Sequence, residues 1–198
     1  MTVFHLLRHG ERSQPGLCAG RMPGIGLTER GRAEIAEVAS RFTGQGIAAL
    51  FSSPLQRTRE SADIVASRLG LAVALHDDLI ELDFGEWTGA TFDQIRADPR
   101  WDAWRIHRSL ARIPGGESMR QVQRRAVEAL IDIGERHPEQ SVVVVSHGDV
   151  IRSMLVYALG MPLDFLTRIE VAQGSLSTIR IDASGIRVLA VNDLPRLG

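Results

Sequence analysis

The stretch Val3-Phe4-His5-Leu6-Leu7-Arg8-His9-Gly10-Glu11 decides the fold, and Val142-Val143-Val144-Val145-Ser146-His147-Gly148-Asp149 repeats its logic far along the chain. In the first, Val3, Phe4, Leu6 and Leu7 form an apolar run short enough to be a buried strand. The second is a run of β-branched residues, as expected of a strand covered on both faces. Arg, His and Gly at the end of such a strand are out of place as packing residues. They fit the carboxyl end of a strand in an open α/β sheet, where ligands bind. Two strands that each end in His-Gly therefore predict one site with two imidazoles.

Working outward, the alternation continues. Gly10 to Gly26 is a loop rich in Gly and Pro, and Thr28 can cap a helix whose apolar face is Ile35, Val38, Ala39 and Phe42. Ile47 to Phe51 reads as a strand ending at Ser52-Ser53-Pro54. Leu55 to Leu69 reads as a helix with Ala62, Val65, Ala66 and Leu69 on one side, and Leu71 to Leu75 as a short strand. Val150 to Leu159 follows as a helix. Leu176 to Ile181 and Ile186 to Val191 flank the turn Asp182-Ala183-Ser184-Gly185 and predict a hairpin. The expected fold is α/β: a three-layer sandwich with a mostly parallel central sheet and helices on both faces. Residues 1–198 read as a single domain. Thr91 to Gly116 breaks the rhythm and reads as an insertion, or lid, over the strand ends.

Composition narrows the chemistry. The 198 residues are 44% hydrophobic and 24% charged, with net charge −1. That is an ordinary globular composition, with no imbalance pointing to nucleic acid or a membrane surface. All 23 basic residues are Arg. Schiff-base lysines, P-loop lysines and Ser-Lys dyads are thereby excluded. Cys18 is the only cysteine, so an intramolecular disulfide and a multi-thiolate zinc site are excluded too. With no leader pattern and no long apolar segment, the expected location is cytoplasmic.

Four motifs point elsewhere and fail. Asp83-Phe84-Gly85 matches a kinase triplet, but the chain is too short for a kinase and has no Lys. Gly24-Ile25-Gly26 begins a dinucleotide fingerprint, yet Glu29 stands where the third glycine belongs. Gly44-Gln45-Gly46 precedes a strand instead of following one. His5 and His9 lack the helical spacing of a zinc pair, and no metal is expected.

Five residues, Arg8, His9, Arg57, Glu81 and His147, lie near predicted strand ends. Singly, each has a plain structural reading: Arg57, for instance, could pair with Glu60 or Asp63. Together with Leu7-Arg8-His9-Gly10-Glu11, Ser52-Ser53-Pro54-Leu55-Gln56-Arg57-Thr58, Glu81 through Gly89, Pro114-Gly115-Gly116-Glu117-Ser118 and Ser146-His147-Gly148 they form an ordered set. That set resembles the histidine phosphatase superfamily, the phosphoglycerate mutase-like family with its small bacterial phosphatases. The resemblance covers nearly the whole chain.

The resemblance implies a phosphohistidine mechanism without a cofactor. His9 would be the nucleophile, a role that suits an imidazole kept neutral by nearby Arg8 and Arg57. Its other N–H needs an acceptor, which the sequence does not name. Arg8 and Arg57 would hold phosphate oxygens with planar, permanently charged forks. His147 would be a further donor to the phosphoryl group, and the Gly148 N–H, at a helix start, another. Glu81 maps onto the general acid that protonates the leaving oxygen and then activates water. Among so many Arg side chains it needs burial or the substrate's charge to keep a proton.

The chain also departs from the family. In the mutases, and in many of the phosphatases, Arg-His-Gly-Glu continues with Thr, any residue, Trp and Asn; here it continues Arg12-Ser13-Gln14-Pro15. The phosphate-binding Asn is replaced by Pro15, with Ser13 or Arg12 as candidate compensation. Arg21, after Gly20, is a candidate for a second anionic group on the substrate. The mutases also carry longer insertions. Phosphatase is therefore the first reading, with a cofactor-dependent phosphoglycerate mutase and a non-catalytic phospholigand-binding protein as alternatives. The expected partner is a small phosphorylated metabolite, with no nucleic acid and no membrane; a homodimer is left open. Trp101, Trp104 and Arg108 fall on one face if Pro99 starts a helix, as a substrate clamp or as packing for the insertion.

Overall fold

The computed structural model describes residues 1–196. Six strands form one sheet: β1 (Thr2–Arg8), β2 (Ile47–Ser52), β3 (Val73–Leu75), β4 (Ser141–Ser146), β5 (Leu176–Asp182) and β6 (Gly185–Asp193), in the order β3-β2-β4-β1-β5-β6. The pairings β1/β4, β2/β4 and β2/β3 are parallel, while β1/β5 and β5/β6 are antiparallel. The mostly parallel sheet and the closing hairpin are thus as expected. Strand β3 is shorter than its expected span, which began at Leu71.

Helices α1 (Glu29–Arg41) and α2 (Gln56–Leu69) cover one face, and α5 (Met119–Arg136) and α6 (Gly148–Ala158) the other. The alternation along β4 shows why. Val142 and Val144 pack with Ala126, Leu130 and Met154, whereas Val143 and Val145 pack with Ile35, Val38 and Val65. All four valines are fully buried. Thr28 caps α1 by accepting the Gly31 N–H at 3.0 Å, as expected.

Helix α5 is the element the sequence analysis did not assign. Its signals are present. Ser118 and Gln121 form a reciprocal capping box, and Met119, Val122, Ala126, Leu130 and Ile133 recur at helical spacing. The segment 91–116 holds two short helices, α3 (Phe92–Ala97) and α4 (Trp101–Ile106). Arg108 therefore lies beyond the end of α4 and not on its face. Among the described residues no helix is long and apolar enough to cross a membrane.

Candidate active site

Parallel pairing of β1 with β4 sets Arg8 opposite Ser146, so the two His-Gly turns leave the sheet side by side. The His9 N–H donates to the Ser146 carbonyl at 3.1 Å and ties the turns together. The ring centroids of His9 and His147 stand 5.3 Å apart. Arg57 arrives from the first turn of α2, next to β2. Glu81 lies just beyond the turn Asp77–Leu79 that follows β3. The structure thus brings all five candidates to the carboxyl ends of the parallel strands.

His9 Nδ1 lies 2.8 Å from the Gly10 carbonyl. A carbonyl only accepts, so Nδ1 carries the hydrogen and Nε2 keeps its lone pair. Burial, reinforced by the charges of Arg57 and Arg8, holds the His9 pKa well below the ordinary value. Burial and the charge of Arg57 do the same for His147. Both imidazoles are therefore neutral at physiological pH. His147 is fully buried; its Nε2 meets the Ser53 hydroxyl at 2.7 Å, and its Nδ1 lies 3.9 Å from Glu81 Oε2.

The guanidinium groups hold donors in reserve. Arg8 Nη1 donates to the Val171 carbonyl at 2.6 Å, and Arg57 Nη2 to that of Gly20 at 2.8 Å. Arg8 Nε and Arg57 Nε and Nη1 are buried with no partner among the described residues. Buried polar groups are normally satisfied, so these N–H groups are shaped for an acceptor brought by a ligand. Burial lowers the Arg57 pKa to about 10, against the opposing charge of Glu81, and the group stays cationic at neutral pH. Arg57 does not pair with Glu60, which instead binds Gln56, Arg32 and the Leu27 N–H.

Glu81 Oε1 accepts the Leu82 N–H at 2.9 Å. Burial and the charge of Asp149 raise its pKa, outweighing Arg57, the Leu82 hydrogen bond and Arg8. The difficulty raised by the surrounding arginines is thus met by desolvation. A carboxyl in this setting can hold a proton and release it again.

Arg8, His9, Arg57 and Glu81 line a cavity of about 260 Å³, with His147 buried behind it. Five arginines line it, Arg8, Arg12, Arg57, Arg108 and Arg152, against the carboxylates of Glu81 and Asp149. That excess of positive charge suits an anion. Trp101 and Trp104 also line the cavity, and both pack edge-on against Trp87 with centroids 6.0 and 6.4 Å apart. The tryptophans of the 91–116 segment thus pack the segment and line the site at once. Among the described residues no three His, Cys, Asp or Glu side chains group as metal ligands.

Gly148, the first residue of α6, lines the cavity, but three of the expected substrate contacts, His147, Arg21 and Ser13, do not. Arg21 is held elsewhere: its Nε donates to the Glu81 carbonyl at 2.9 Å and its Nη2 to Glu117 Oε2 at 2.8 Å. Ser13 is absent from the cavity wall, and its backbone N–H donates to the Gly26 carbonyl at 2.9 Å. Arg12 is the residue of that pair on the cavity wall, and it also bonds the carbonyls of Ser13, Gln14 and Leu17. Sequence reasoning missed Asp149, Arg152 and the role of Ser53. Asp149 had a signal, as it directly follows Ser146-His147-Gly148.

A profile described as the histidine phosphatase superfamily (branch 1) matches residues 4–194. A bifunctional protein of Mycobacterium tuberculosis is 36% identical over 188 residues, which are 93% of this chain and 51% of that protein. The chain thus spans about half the length of that relative. Phosphoserine phosphatase 1 of Hydrogenobacter thermophilus is 30% identical, with 100% of this chain and 95% of the relative covered. Among solved structures, YhfR of Bacillus stearothermophilus superposes with a TM-score of 0.92 at 30% identity, covering 98% of each chain.

Proposed function

The chain belongs to the histidine phosphatase superfamily, and we propose that it hydrolyses a small phosphomonoester through a phosphohistidine on His9. The observation that carries this reading is the Nδ1 contact of His9 with Gly10, which leaves Nε2 as a nucleophile beside unpartnered arginine donors. In the first step the Nε2 lone pair forms a bond to phosphorus and the ester P–O bond breaks. Glu81 gives its proton to the leaving oxygen. Charge spread over the equatorial oxygens is met by Arg8, Arg57, an N–H at His147 Nδ1 and the first N–H of α6 at Gly148. In the second step the Glu81 carboxylate takes a proton from water, the water oxygen bonds to phosphorus, and the P–N bond breaks. Inorganic phosphate leaves, with His9 neutral and Glu81 protonated again.

The rest of the substrate would meet Trp104, Arg108 and Arg152. Arg108 is only 7% exposed, sits 4.6 Å from the Trp104 ring centre, and has Nε and Nη1 without a partner among the described residues. These donors favour a substrate with an acceptor beyond its phosphate. Phosphoserine, whose carboxylate fits a guanidinium fork, is a first candidate. The test is p-nitrophenyl phosphate hydrolysis in EDTA. Wild type should release nitrophenol, and His9→Ala should lose at least about a thousandfold in kcat. Equal slow release by both would reject the site.

A further inference from the structure

The motif Pro114-Gly115-Gly116-Glu117-Ser118 takes no part in the steps above, and neither Glu117 nor Arg125 lines the cavity. Both nevertheless converge on the backbone of Glu81. Residues 81–84 have no regular secondary structure, so no ladder fixes the carboxyl that must meet the leaving oxygen. What fixes it is a charged clamp. The Glu81 carbonyl accepts Arg21 Nε at 2.9 Å and Arg125 Nη2 at 3.3 Å. The same two guanidiniums bind one carboxylate: Glu117 Oε2 receives Arg21 Nη2 at 2.8 Å and Arg125 Nη2 at 3.0 Å, and Oε1 receives Arg125 Nε at 3.1 Å.

The backbone interlocks around this clamp. The Asp83 N–H donates to Glu117 Oε2 at 3.1 Å, and the Glu117 N–H donates back to the Asp83 carbonyl at 3.0 Å. A Cβ at Gly116 would stand 2.3 Å from the Asp83 carbonyl oxygen, and one at Gly85 would stand 2.2 Å from that of Pro114. Only glycines let the two segments approach so closely. The side chains of Glu117 and Arg125 are 18% and 12% exposed, so the clamp is largely shielded from competing water.

We infer that Glu117 is a positioning residue for Glu81, acting through Arg21 and Arg125 to hold the acid segment and to balance the charge beside it. The inference rests on the acid/base reading of Glu81. Removing the Glu117 charge loosens both arginines next to Glu81, leaving Arg125 uncompensated and Arg21 with only Asp83 Oδ2 at 3.7 Å among the described residues. The groups already facing that carboxyl are Asp149 from α6, Arg57 from α2, Arg8 from β1, Arg12 and Cys18 from the loop after β1, and His147 from the end of β4. The positive charge released at Arg21 and Arg125 would add to that set and favour the ionised carboxyl.

The experiment compares glycerol phosphate, whose alkoxide must be protonated as it leaves, with p-nitrophenyl phosphate, whose leaving group needs little help. Glu117→Gln should lower kcat for glycerol phosphate about tenfold, with KM and the nitrophenyl reaction both within about twofold. The alkaline limb of kcat/KM should move to lower pH, and Glu117→Asp, which keeps the charge, should restore its position. If Glu117→Gln does not fold, Arg21→Gln keeps the Arg125–Glu117 pair and should give the same split at about threefold. Equal losses on both substrates, or an unmoved limb, would overturn the inference. Glu81→Gln is the control that separates the two claims. If it shows no leaving-group split, the reading of Glu81 falls and the inference with it. If it splits the substrates while Glu117→Gln does not, only the positioning role falls.

Discussion

The His147 imidazole lies with its Nε2 2.7 Å from the Ser53 hydroxyl oxygen, and both residues are fully buried. A hydroxyl can donate or accept, so the tautomer turns on which role Ser53 takes. If Ser53 donates, the hydrogen of His147 sits on Nδ1, the atom 3.9 Å from Glu81 Oε2. That is the tautomer a phosphoryl donor requires. Ser53→Ala should therefore cost about tenfold in kcat and about 1 kcal/mol of stability. Steady-state kinetics with imidazole nitrogen NMR checks it: the wild-type signal should report Nδ1–H, and the variant a mixture.

Gly148 offers a sharper separation of activity from stability. A Cβ there would lie 3.2 Å from Arg8 Cζ and 3.3 Å from Arg8 Nε. Alanine at a first helical position costs the helix nothing and has the better propensity. Gly148→Ala should keep or raise the melting temperature while kcat/KM falls about tenfold, because Arg8 shifts off its phosphate-binding position. Parallel melting and activity measurements decide it; a fall in both would point to misfolding instead.

The two neutral histidines make stability depend on pH. Their folded pKa values lie well below the ordinary one, so the unfolded chain takes up protons near pH 6.5 that the folded chain refuses. Their contribution is complete above that pH and is lost as pH falls, at up to about 1.4 kcal/mol per pH unit for each histidine. Glu81 works in the opposite sense. Its folded pKa is raised, so its contribution is lost as pH rises through the raised value. Urea unfolding should show wild type losing about 1 kcal/mol more than His147→Gln between about pH 7.5 and about pH 5.5. Equal losses would mean that His147 titrates when folded.

Arg108 tests the substrate reading. Among the described residues its charge is answered only by Asp149 Oδ2 at 3.9 Å, and Asp149 already pairs with Arg152 at 3.2 Å. Arg108→Gln should lower the ratio of kcat/KM for phosphoserine over glycerol phosphate about tenfold. An unchanged ratio would remove Arg108 from substrate selection.

How much of this was legible before the structure depends on what each residue answers to. The strands were legible because apolar runs such as Val142–Val145 record burial on both faces, and the convergence of the five candidate residues because their motifs stand in family order. Helix α5 was legible in its Ser118/Gln121 box and was overlooked. Arg21 was not legible: a conformation of loop and side chain decides whether a guanidinium faces a cavity or a carboxylate, and here it faces Glu117. Nor was the Glu81 pKa, since its sign rests on burial winning over two arginines. Ser53 stood within a quoted motif, yet only the β2/β4 pairing puts it beside His147.

The central claim is a covalent bond between phosphorus and His9 Nε2. Rapid acid-free quenching of a phosphoserine or p-nitrophenyl phosphate reaction, followed by mass spectrometry of the digested protein, measures it directly. The account predicts an added phosphoryl group on the peptide carrying His9, labile to acid and stable to alkali, present in Glu81→Gln and absent from His9→Ala. Turnover of substrate by wild type with no phosphoryl group on that peptide at any quench time, or with one on another residue, would contradict it.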